Sequence, residues 1–273
     1  MKKRILLTVA YDGTDFHGFA YQEGVRTVEG ELARALKELT GEETEITGAS
    51  RTDTGVHAYG NLASFDTGSS VPPERFALAL DPFLPEDLRV ISSEEVSADF
   101  HPRKTGWPKT YEYRILNTER PDPLLRRTTF HYRGTLDVEA MHEAAQYLAG
   151  THDFTSFCSV HSLSPTRERT IHGISVFRRQ TDMLPCACRD ELTNAVPGED
   201  IATTGGTLII IRVTGSGFLY HMVRIIAGTL LDVGTGRLQP SDMYAILEAR
   251  DRARAGRTAE PQGLILEGYQ RKE

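Results

Sequence analysis

Apolar residues recur along this chain with two different spacings, and the two spacings alternate. Residues 3–10 are almost continuously apolar and β-prone, which predicts a buried strand. From Val28 to Leu39 the apolar residues lie three and four positions apart, which predicts an amphipathic helix. Thr27 is suited to cap this helix and Gly41 to end it. Strand and helix signals continue to alternate, and this predicts an α+β fold.

The same pattern divides the chain into two halves with a similar rhythm of strands and helices. The further predicted elements are a helix behind Pro72 and Pro73 with Phe76 and Leu80 inward, a strand at 111–116, a helix between Asp137 and Gly150 with Met141, Ala144, Ala145 and Leu148 on one face, strands at about 170–178 and 207–214, a helix at about 218–232, a short helix behind Pro240 and a final strand at 263–269. We predict an N-terminal half at residues 1–105 and a C-terminal half at residues 106–273.

The charge of the chain is unevenly distributed. The net charge of −7 argues mildly against an RNA partner when it is taken as an average. Residues 1–100 carry 9 Lys and Arg against 18 Asp and Glu, whereas residues 101–134 carry 8 basic residues against 3 acidic ones. The second segment therefore has a net charge of +5 and suits either a phosphate backbone or an ordinary solvated surface.

Cysteine content and hydropathy exclude several classes of protein. The chain has no apolar run of about 18 residues, so we predict no membrane span, and we expect a cytoplasmic protein. Three cysteines do not make a disulfide framework. Residues 180–206 form a long polar segment, in which Cys186 and Cys188 could bind zinc together with Cys158 and His161. Because the Cys-x-Cys spacing is not the usual one for zinc, we favour free thiols.

The polar loop between the β-prone runs 45–47 and 62–65 carries the clearest candidate chemistry. It contains Arg51 and Asp53, which point the same way if the segment is extended, so the guanidinium could orient the carboxylate. An ionised, oriented carboxylate suits a nucleophile or a base. Taken alone, such a pair is more typical of a structural turn, with Asp53 bonding to nearby backbone amides and Arg51 solvated.

Motifs along nearly the whole chain distinguish between these alternatives. They are Tyr11-Asp12-Gly13-Thr14, Gly18-Phe19-Ala20-Tyr21-Gln22, Arg26-Thr27-Val28-Glu29-Gly30, the loop from Ser50 to Ala58, Phe100-His101-Pro102-Arg103, Tyr111-Glu112-Tyr113, Gly150 to Phe157, Gly217 to Arg224 and Gly263 to Leu266. In this order they resemble the tRNA pseudouridine synthase A family, whose members isomerise uridines just 3′ of the anticodon. In the active-site loop only Ser50 departs, because the family usually has glycine there.

The resemblance implies a fold and a reaction. The fold is the pseudouridine synthase fold, in which two similar α+β halves share a mostly antiparallel central sheet, with helices outside and a central RNA-binding cleft. The reaction needs no cofactor, metal or phosphate donor. It needs a carboxylate, and the resemblance assigns that role to Asp53, which attacks the base or the sugar or abstracts a sugar proton.

Three further residues take catalytic roles by the same resemblance. Tyr111 stacks on the flipped base or helps to remove the C5 proton, and a core position on its strand is the alternative. Arg224 lies on a predicted apolar helix face and pairs with Asp53. The alternative is that its side chain runs along the helix and places the guanidinium in solvent at the edge of this face. Arg51 orients Asp53 and fills the gap that the flipped uridine leaves in the stem.

The substrate implied by the resemblance is tRNA, and the resembling enzymes are homodimers. The candidate RNA-binding residues are Arg103, Lys104, Lys109, Arg126, Arg127, His57 and His221. The family usually has Trp-Gln where this chain has Phe19-Ala20, and residues 104–109 also depart from its pattern. These departures affect the choice of target uridine more than the type of reaction.

Two other classes of function are considered. One is an RNA-binding or tRNA-folding module that keeps the fold without turnover, but binding alone would not need the carboxylate. The other is phosphoryl transfer, because Asp12-Gly13-Thr14 and Asp53-Thr54-Gly55 superficially resemble phosphate-binding turns. The chain has no P-loop sequence, which disfavours this class.

Overall fold

The structure is a computed structural model that describes residues 2–180 and 207–271. Its residues group into two compact units. The first unit consists of the residues up to Tyr111 and those from Ile265 onward, and the second unit is Glu112–Leu264. The predicted polar segment, with Cys186 and Cys188, lies outside the described residues from position 181 onward. The predicted functional division at residues 105 and 106 stays a prediction.

The first unit contains a sheet that places the Asp53 loop between two of its strands. Its strands are β1 (Lys3–Tyr11), β2 (Thr47–Gly48), β3 (His57–Thr67), β4 (Leu88–Val96) and β10 (Leu264–Tyr269). Strand β1 lies between β4 and β3 and is antiparallel to both. Strand β2 is antiparallel to β3, whereas β10 is parallel to it through the pairs Ile265–His57 and Leu266–Ala58. The last strand of the chain therefore lies beside the strand that follows the Asp53 loop.

The helices of the first unit confirm the capping signals in the sequence. Helix α1 (Val28–Thr40) begins after Thr27, whose hydroxyl accepts a hydrogen bond from the Gly30 amide. It ends at Gly41, which has a φ of 75° and is left-handed, as glycine permits. Helix α2 (Phe76–Leu80) follows a 3₁₀ turn and buries both of its terminal side chains, as predicted.

In its described residues, 112–180 and 207–264, the second unit combines another sheet with three α-helices. Its strands are β5 (Lys109–Asn117), which begins in the first unit, β6 (Phe130–Tyr132), β7 (Gly150–Asp153), β8 (Glu168–Gln180) and β9 (Thr207–Gly215). Its helices are α3 (Val138–Gln146), α4 (Met222–Gly234) and α5 (Asp242–Ala249). The strand order is β5-β9-β8-β7, with β8 antiparallel to β9 and to β7 and with β6 parallel to β5. The predicted α+β class with mostly antiparallel strands is confirmed.

Two elements differ from the sequence prediction for identifiable reasons. Helix α4 begins at Met222 and not at about 218, because His221 has a φ of 62° and cannot belong to a right-handed helix. Strand β4 was not predicted, since only Leu88 and Val90 of its side chains are buried and the rest are largely polar and exposed. Among the described strands it pairs with β1 and lies at the end of the strand order. In residues 2–180 and 207–271, no helix has the length and apolarity needed to cross a membrane.

Candidate active site

The Asp53 loop packs tightly against the segment that follows β1. The Phe19 amide donates a hydrogen bond of 3.1 Å to the carbonyl of Thr52, and the Gly55 amide donates one of 3.3 Å to the carbonyl of Phe16. Gly18 has a φ of 86°, and a Cβ atom there would lie 2.7 Å from the Thr52 carbonyl oxygen. The backbone around Asp53 is therefore held by main-chain contacts that require glycine on the opposing segment.

A tight turn begins at Asp53 itself. The Val56 amide donates a 3.1 Å hydrogen bond to the Asp53 carbonyl, and Gly55 has a φ of 77° at the third position of the turn. A positive φ at that position is the signature of a type II turn. The turn therefore fixes the backbone of Asp53, and the residue is partly buried.

Beneath the loop lies a buried hydrogen-bond network centred on Asn61, whose exposed fraction is 0%. The Asn61 amide nitrogen donates to the Ser50 carbonyl at 2.9 Å and to the Tyr11 hydroxyl at 3.1 Å. Its oxygen accepts from the amides of Ser50 and Leu62 and from the Tyr269 hydroxyl. One side chain thus connects β3 to the Asp53 loop, to β1 and to β10.

Further hydroxyl contacts extend this network to the start of the loop. The Tyr11 and Thr52 hydroxyls are 2.7 Å apart, and those of Ser50 and Tyr269 are 2.6 Å apart. The Ser50 side chain also bonds to Tyr111. The residue that departs from the family pattern therefore has a structural role, because its hydroxyl joins two tyrosines that glycine could not contact.

Tyr111 lies close to the Asp53 loop and is 9% exposed. Burial raises the pKa of Tyr111 to about 12, the hydrogen bond with Ser50 acts in the opposite direction, and the charge of Asp53 adds to the rise. The phenol is therefore protonated near neutral pH, which makes it unsuited to act as a base. Of the two roles predicted for Tyr111, this environment favours stacking.

The Arg51 side chain is exposed. The chain bends into a turn at Asp53, and β3 begins at His57. The two roles predicted for Arg51, to orient Asp53 and to fill the gap in the RNA stem, stay predictions.

His57 is buried behind the loop. Its Nδ1 atom accepts a 3.0 Å hydrogen bond from the Gly13 amide and lies 3.1 Å from Asp12 Oδ1. Asp12 in turn accepts hydrogen bonds from the amide and the hydroxyl of Thr14. Asp12 and His57 therefore hold the segment against which the Asp53 loop packs, and an RNA contact of His57 stays a prediction.

Arg224 belongs to the second unit and lies on α4. Its Nε atom donates a 2.8 Å hydrogen bond to the Ala259 carbonyl, and its own carbonyl accepts one from the Ala259 amide. A Cβ atom at Gly228, one turn further along, would lie 1.9 Å from the Arg257 carbonyl oxygen. The loop at 257–259 therefore packs directly on the helix and fixes the guanidinium. The pairing of Arg224 with Asp53 stays a prediction.

The remaining candidates lie at the surface or close to it. In the first unit Arg103 and Lys104 are exposed, while Lys109 lies 3.5 Å from the Ala49 carbonyl, beside the Asp53 loop. In the second unit Arg126 and Arg127 are exposed. His221 is half-buried, and its ring centre lies 3.9 Å from that of Tyr220.

Sequence reasoning missed Asn61, Thr52 and Tyr269. No local signal singled out Asn61, since β3 also buries the polar side chains of His57, Ser64 and Thr67. Across residues 2–180 and 207–271, no three His, Cys, Asp or Glu side chains are grouped as a metal site. Cys158 is buried as a free thiol, and the other two thiols of the proposed zinc site lie outside the described residues.

Comparisons with known proteins agree with the resemblance. The chain matches the family described as "tRNA pseudouridine synthase" over residues 7–103 and 144–270. It is similar to a protein named tRNA pseudouridine synthase A from Acetivibrio thermocellus, with 41% identity over 97% of this chain and 98% of the relative. The protein of the same name from Halalkalibacterium halodurans is 42% identical over 96% of this chain and 90% of the relative. A third such protein, from Caldicellulosiruptor bescii, is 39% identical over 97% and 98%. The predicted enzyme class, an isomerase of this type, is confirmed. With matches that cover nearly its whole length, this chain belongs to the tRNA pseudouridine synthase family.

Proposed function

We propose that this protein converts uridine to pseudouridine in the anticodon stem-loop of tRNA, with Asp53 as the catalytic carboxylate. The observation that carries the proposal is the fixed position of Asp53. Its turn is closed by the amide of Val56, and its loop is anchored to the segment after β1 by main-chain hydrogen bonds. A rigid loop that leaves one carboxylate accessible is what a positioned nucleophile or base requires.

The reaction rearranges one base on one sugar. The N1–C1′ bond breaks, the detached uracil rotates, and a C5–C1′ bond forms. C5 then loses its proton while N1 gains one, so no atom is added or removed overall. Asp53 starts the cleavage, by attack on the base or the sugar or by abstraction of a sugar proton. Water must be kept from the site while the uracil is detached.

The other assigned residues support this step in the proposal. Arg224 pairs with Asp53 and favours its ionised form, an assignment that comes from the family resemblance. Arg51, whose side chain is exposed, occupies the space that the flipped uridine leaves in the stem. The homodimer and the cytoplasmic location expected from the sequence stay predictions. A non-catalytic RNA-binding module of the same fold is the alternative that the experiment below tests.

Tritium release from transcribed tRNA carrying [5-³H]uridine tests the proposal. We expect the wild-type protein to release tritium as C5 exchanges its proton, and we expect the modified position to map just 3′ of the anticodon. Binding of tRNA without any release would contradict catalysis and favour the non-catalytic alternative. Release with a modification elsewhere in the tRNA would contradict only the assigned target.

The environment of Tyr111 leads to a prediction about its hydroxyl group. Because burial holds the phenol protonated near neutral pH, Tyr111→Phe should keep the stacking surface and most of the activity. Tyr111→Ala removes that surface and should lower kcat/KM by about 10- to 100-fold, the range expected for the loss of one aromatic–base stack. The pH–rate profiles of the wild type and the Phe variant should have the same shape. An inactive Phe variant that still binds tRNA would show that the hydroxyl takes part in the chemistry.

A further inference from the structure

The second unit contains a buried carboxylate that the proposed mechanism does not use. Glu112 lies on β5, and its side chain is 1% exposed. Three arginines bond to it: Arg212 through Nε at 3.0 Å, Arg179 through Nη2 at 3.1 Å and Arg114 through Nη2 at 3.1 Å. We call these four residues the Glu112 cluster.

The Glu112 cluster has more positive than negative charge. Burial raises the pKa of Glu112, but hydrogen bonds from Arg179, Arg114 and Arg212 lower it more, so its pKa lies below the usual value and the carboxylate is ionised. Arg179 and Arg212 bring two guanidinium charges against the one carboxylate of Glu112, which leaves an excess of one positive charge. No second carboxylate among residues 2–180 and 207–271 bonds to Arg179 or Arg212.

Two of these arginines are both accessible and held in place. The side chains of Arg179 and Arg212 are 40% and 44% exposed, whereas that of Arg114 is 15% exposed. Their guanidinium carbons lie 5.6 and 5.8 Å from the ring centre of Phe177. The buried carboxylate and the aromatic ring already restrict both arginine side chains. Binding of a further anion would therefore cost little side-chain conformational entropy.

The register of the strands places these groups on one face of the sheet. Phe177 pairs with Ile210, and the neighbouring pairs of the same face are Arg179–Leu208 and Ser175–Arg212. Arg178, the residue between Phe177 and Arg179, points to the opposite face and donates a 3.0 Å hydrogen bond to the Leu136 carbonyl. The strand therefore offers two adjacent arginines of equal charge, of which only one belongs to the Glu112 cluster.

We infer that Arg179 and Arg212 form a binding site for a backbone phosphate of the tRNA substrate, fixed in place by Glu112 and Phe177. Guanidinium groups bind phosphate through paired N–H donors, and a partly exposed site with excess positive charge favours such an anion. The inference rests on the proposed function and adds a substrate contact on β8 and β9. That contact lies outside the basic segment 101–134 recognised in the sequence.

The salt dependence of tRNA binding tests this inference. Affinity is measured by fluorescence anisotropy with labelled transcribed tRNA over a range of salt concentrations, for Arg179→Gln, Arg212→Gln and the control Arg178→Gln. Each of the first two variants should bind about tenfold more weakly at low salt. The slope of log K against log salt should also fall by about 0.7 to 0.9 for each phosphate that the variant no longer binds. Arg178→Gln removes the same charge from the adjacent position and should leave affinity and slope close to those of the wild type.

Several outcomes would overturn the inference. An equal loss in Arg178→Gln would indicate a diffuse charge effect instead of a site. The Arg179 and Arg212 variants could be less stable to heat and yet keep the wild-type slope of log K against log salt. That result would show that the Glu112 cluster has only a structural role. A changed sedimentation coefficient with unchanged tRNA binding would assign this face to contact between copies of the chain.

Two additions keep the test independent of folding and of the proposed chemistry. Arg179→Lys keeps the charge and the ion pair but loses the paired donors, so it should fall between the wild type and Arg179→Gln in affinity. A folded Lys variant that binds as weakly as Arg179→Gln at every salt concentration would contradict a role for the charge. Tritium release is measured on the same preparations. Absence of tritium release by the wild type would refute pseudouridylation. The salt dependence of tRNA binding would still test the phosphate site in that case.

Discussion

Asp53→Asn is expected to lower kcat/KM for tritium release by about 10³-fold or more, the scale on which removal of a catalytic nucleophile or base usually acts. An amide of the same shape has no negative charge, and it can neither form the covalent bond nor accept the proton that starts the cleavage. The loop is held by main-chain bonds of residues 52–56 and by the side-chain bonds of Ser50 and Thr52, and none of these bonds uses the Asp53 carboxylate. We therefore expect the variant to keep its fold and its affinity for tRNA while losing turnover.

The control for this variant is Asp81→Asn, which makes the same chemical change at an exposed position in the 3₁₀ turn after α2. Its activity should equal that of the wild type. Thermal unfolding and tRNA binding of both variants separate loss of chemistry from loss of structure. Tritium release by Asp53→Asn at the wild-type rate would remove Asp53 from the role proposed for it.

Asn61→Ala is expected to destabilise the protein by about 2 to 4 kcal/mol and to reduce activity as well. The change leaves the amides of Ser50 and Leu62 and two tyrosine hydroxyl groups without their shared partner in a buried site. Each buried polar group left unsatisfied costs about 1 to 3 kcal/mol, and part of that cost is recovered when the site relaxes. Because Ser50 begins the Asp53 loop, its displacement should also lower kcat. Urea unfolding and tritium release measure the two effects.

Asn117→Ala provides the matched control for this prediction. The Asn117 amide donates to the carbonyls of Tyr132 and Gly134, but the side chain is only half-buried, so water can replace the missing donor. Its removal should cost less than about 1 kcal/mol. Equal destabilisation by the two substitutions would contradict the special position of Asn61 in the network.

The sequence predicted the elements whose signals are local. Helix α1 has its cap at Thr27, its apolar face and its terminal Gly41 within one short stretch, and all three agree. Helix α4 was placed too early because the left-handed conformation of His221 has no local signal, since that backbone usually needs glycine. Strand β4 was missed because only two of its nine side chains are buried and the strand does not repeat a two-residue pattern of burial.

The site residues that belong to one contiguous motif were predicted from the sequence. Those that come together from distant parts of the chain were missed. The loop from Ser50 to Ala58 stands as one unit in the sequence, whereas the Tyr269 hydroxyl reaches Asn61 across 208 positions of the chain. No periodicity links two such residues.

The parallel pairing of β10 with β3 has a consequence for the synthesis of this protein. The Asp53 loop emerges from the ribosome long before Tyr269 and the strand that carries it. Contacts of such large sequence separation form late in folding. A nascent chain that stops before Leu264 lacks the neighbour of β3 and the hydroxyl that bonds to Ser50. Such a fragment should not hold Asp53 in its final position, so only chains translated through the last strand would act on tRNA.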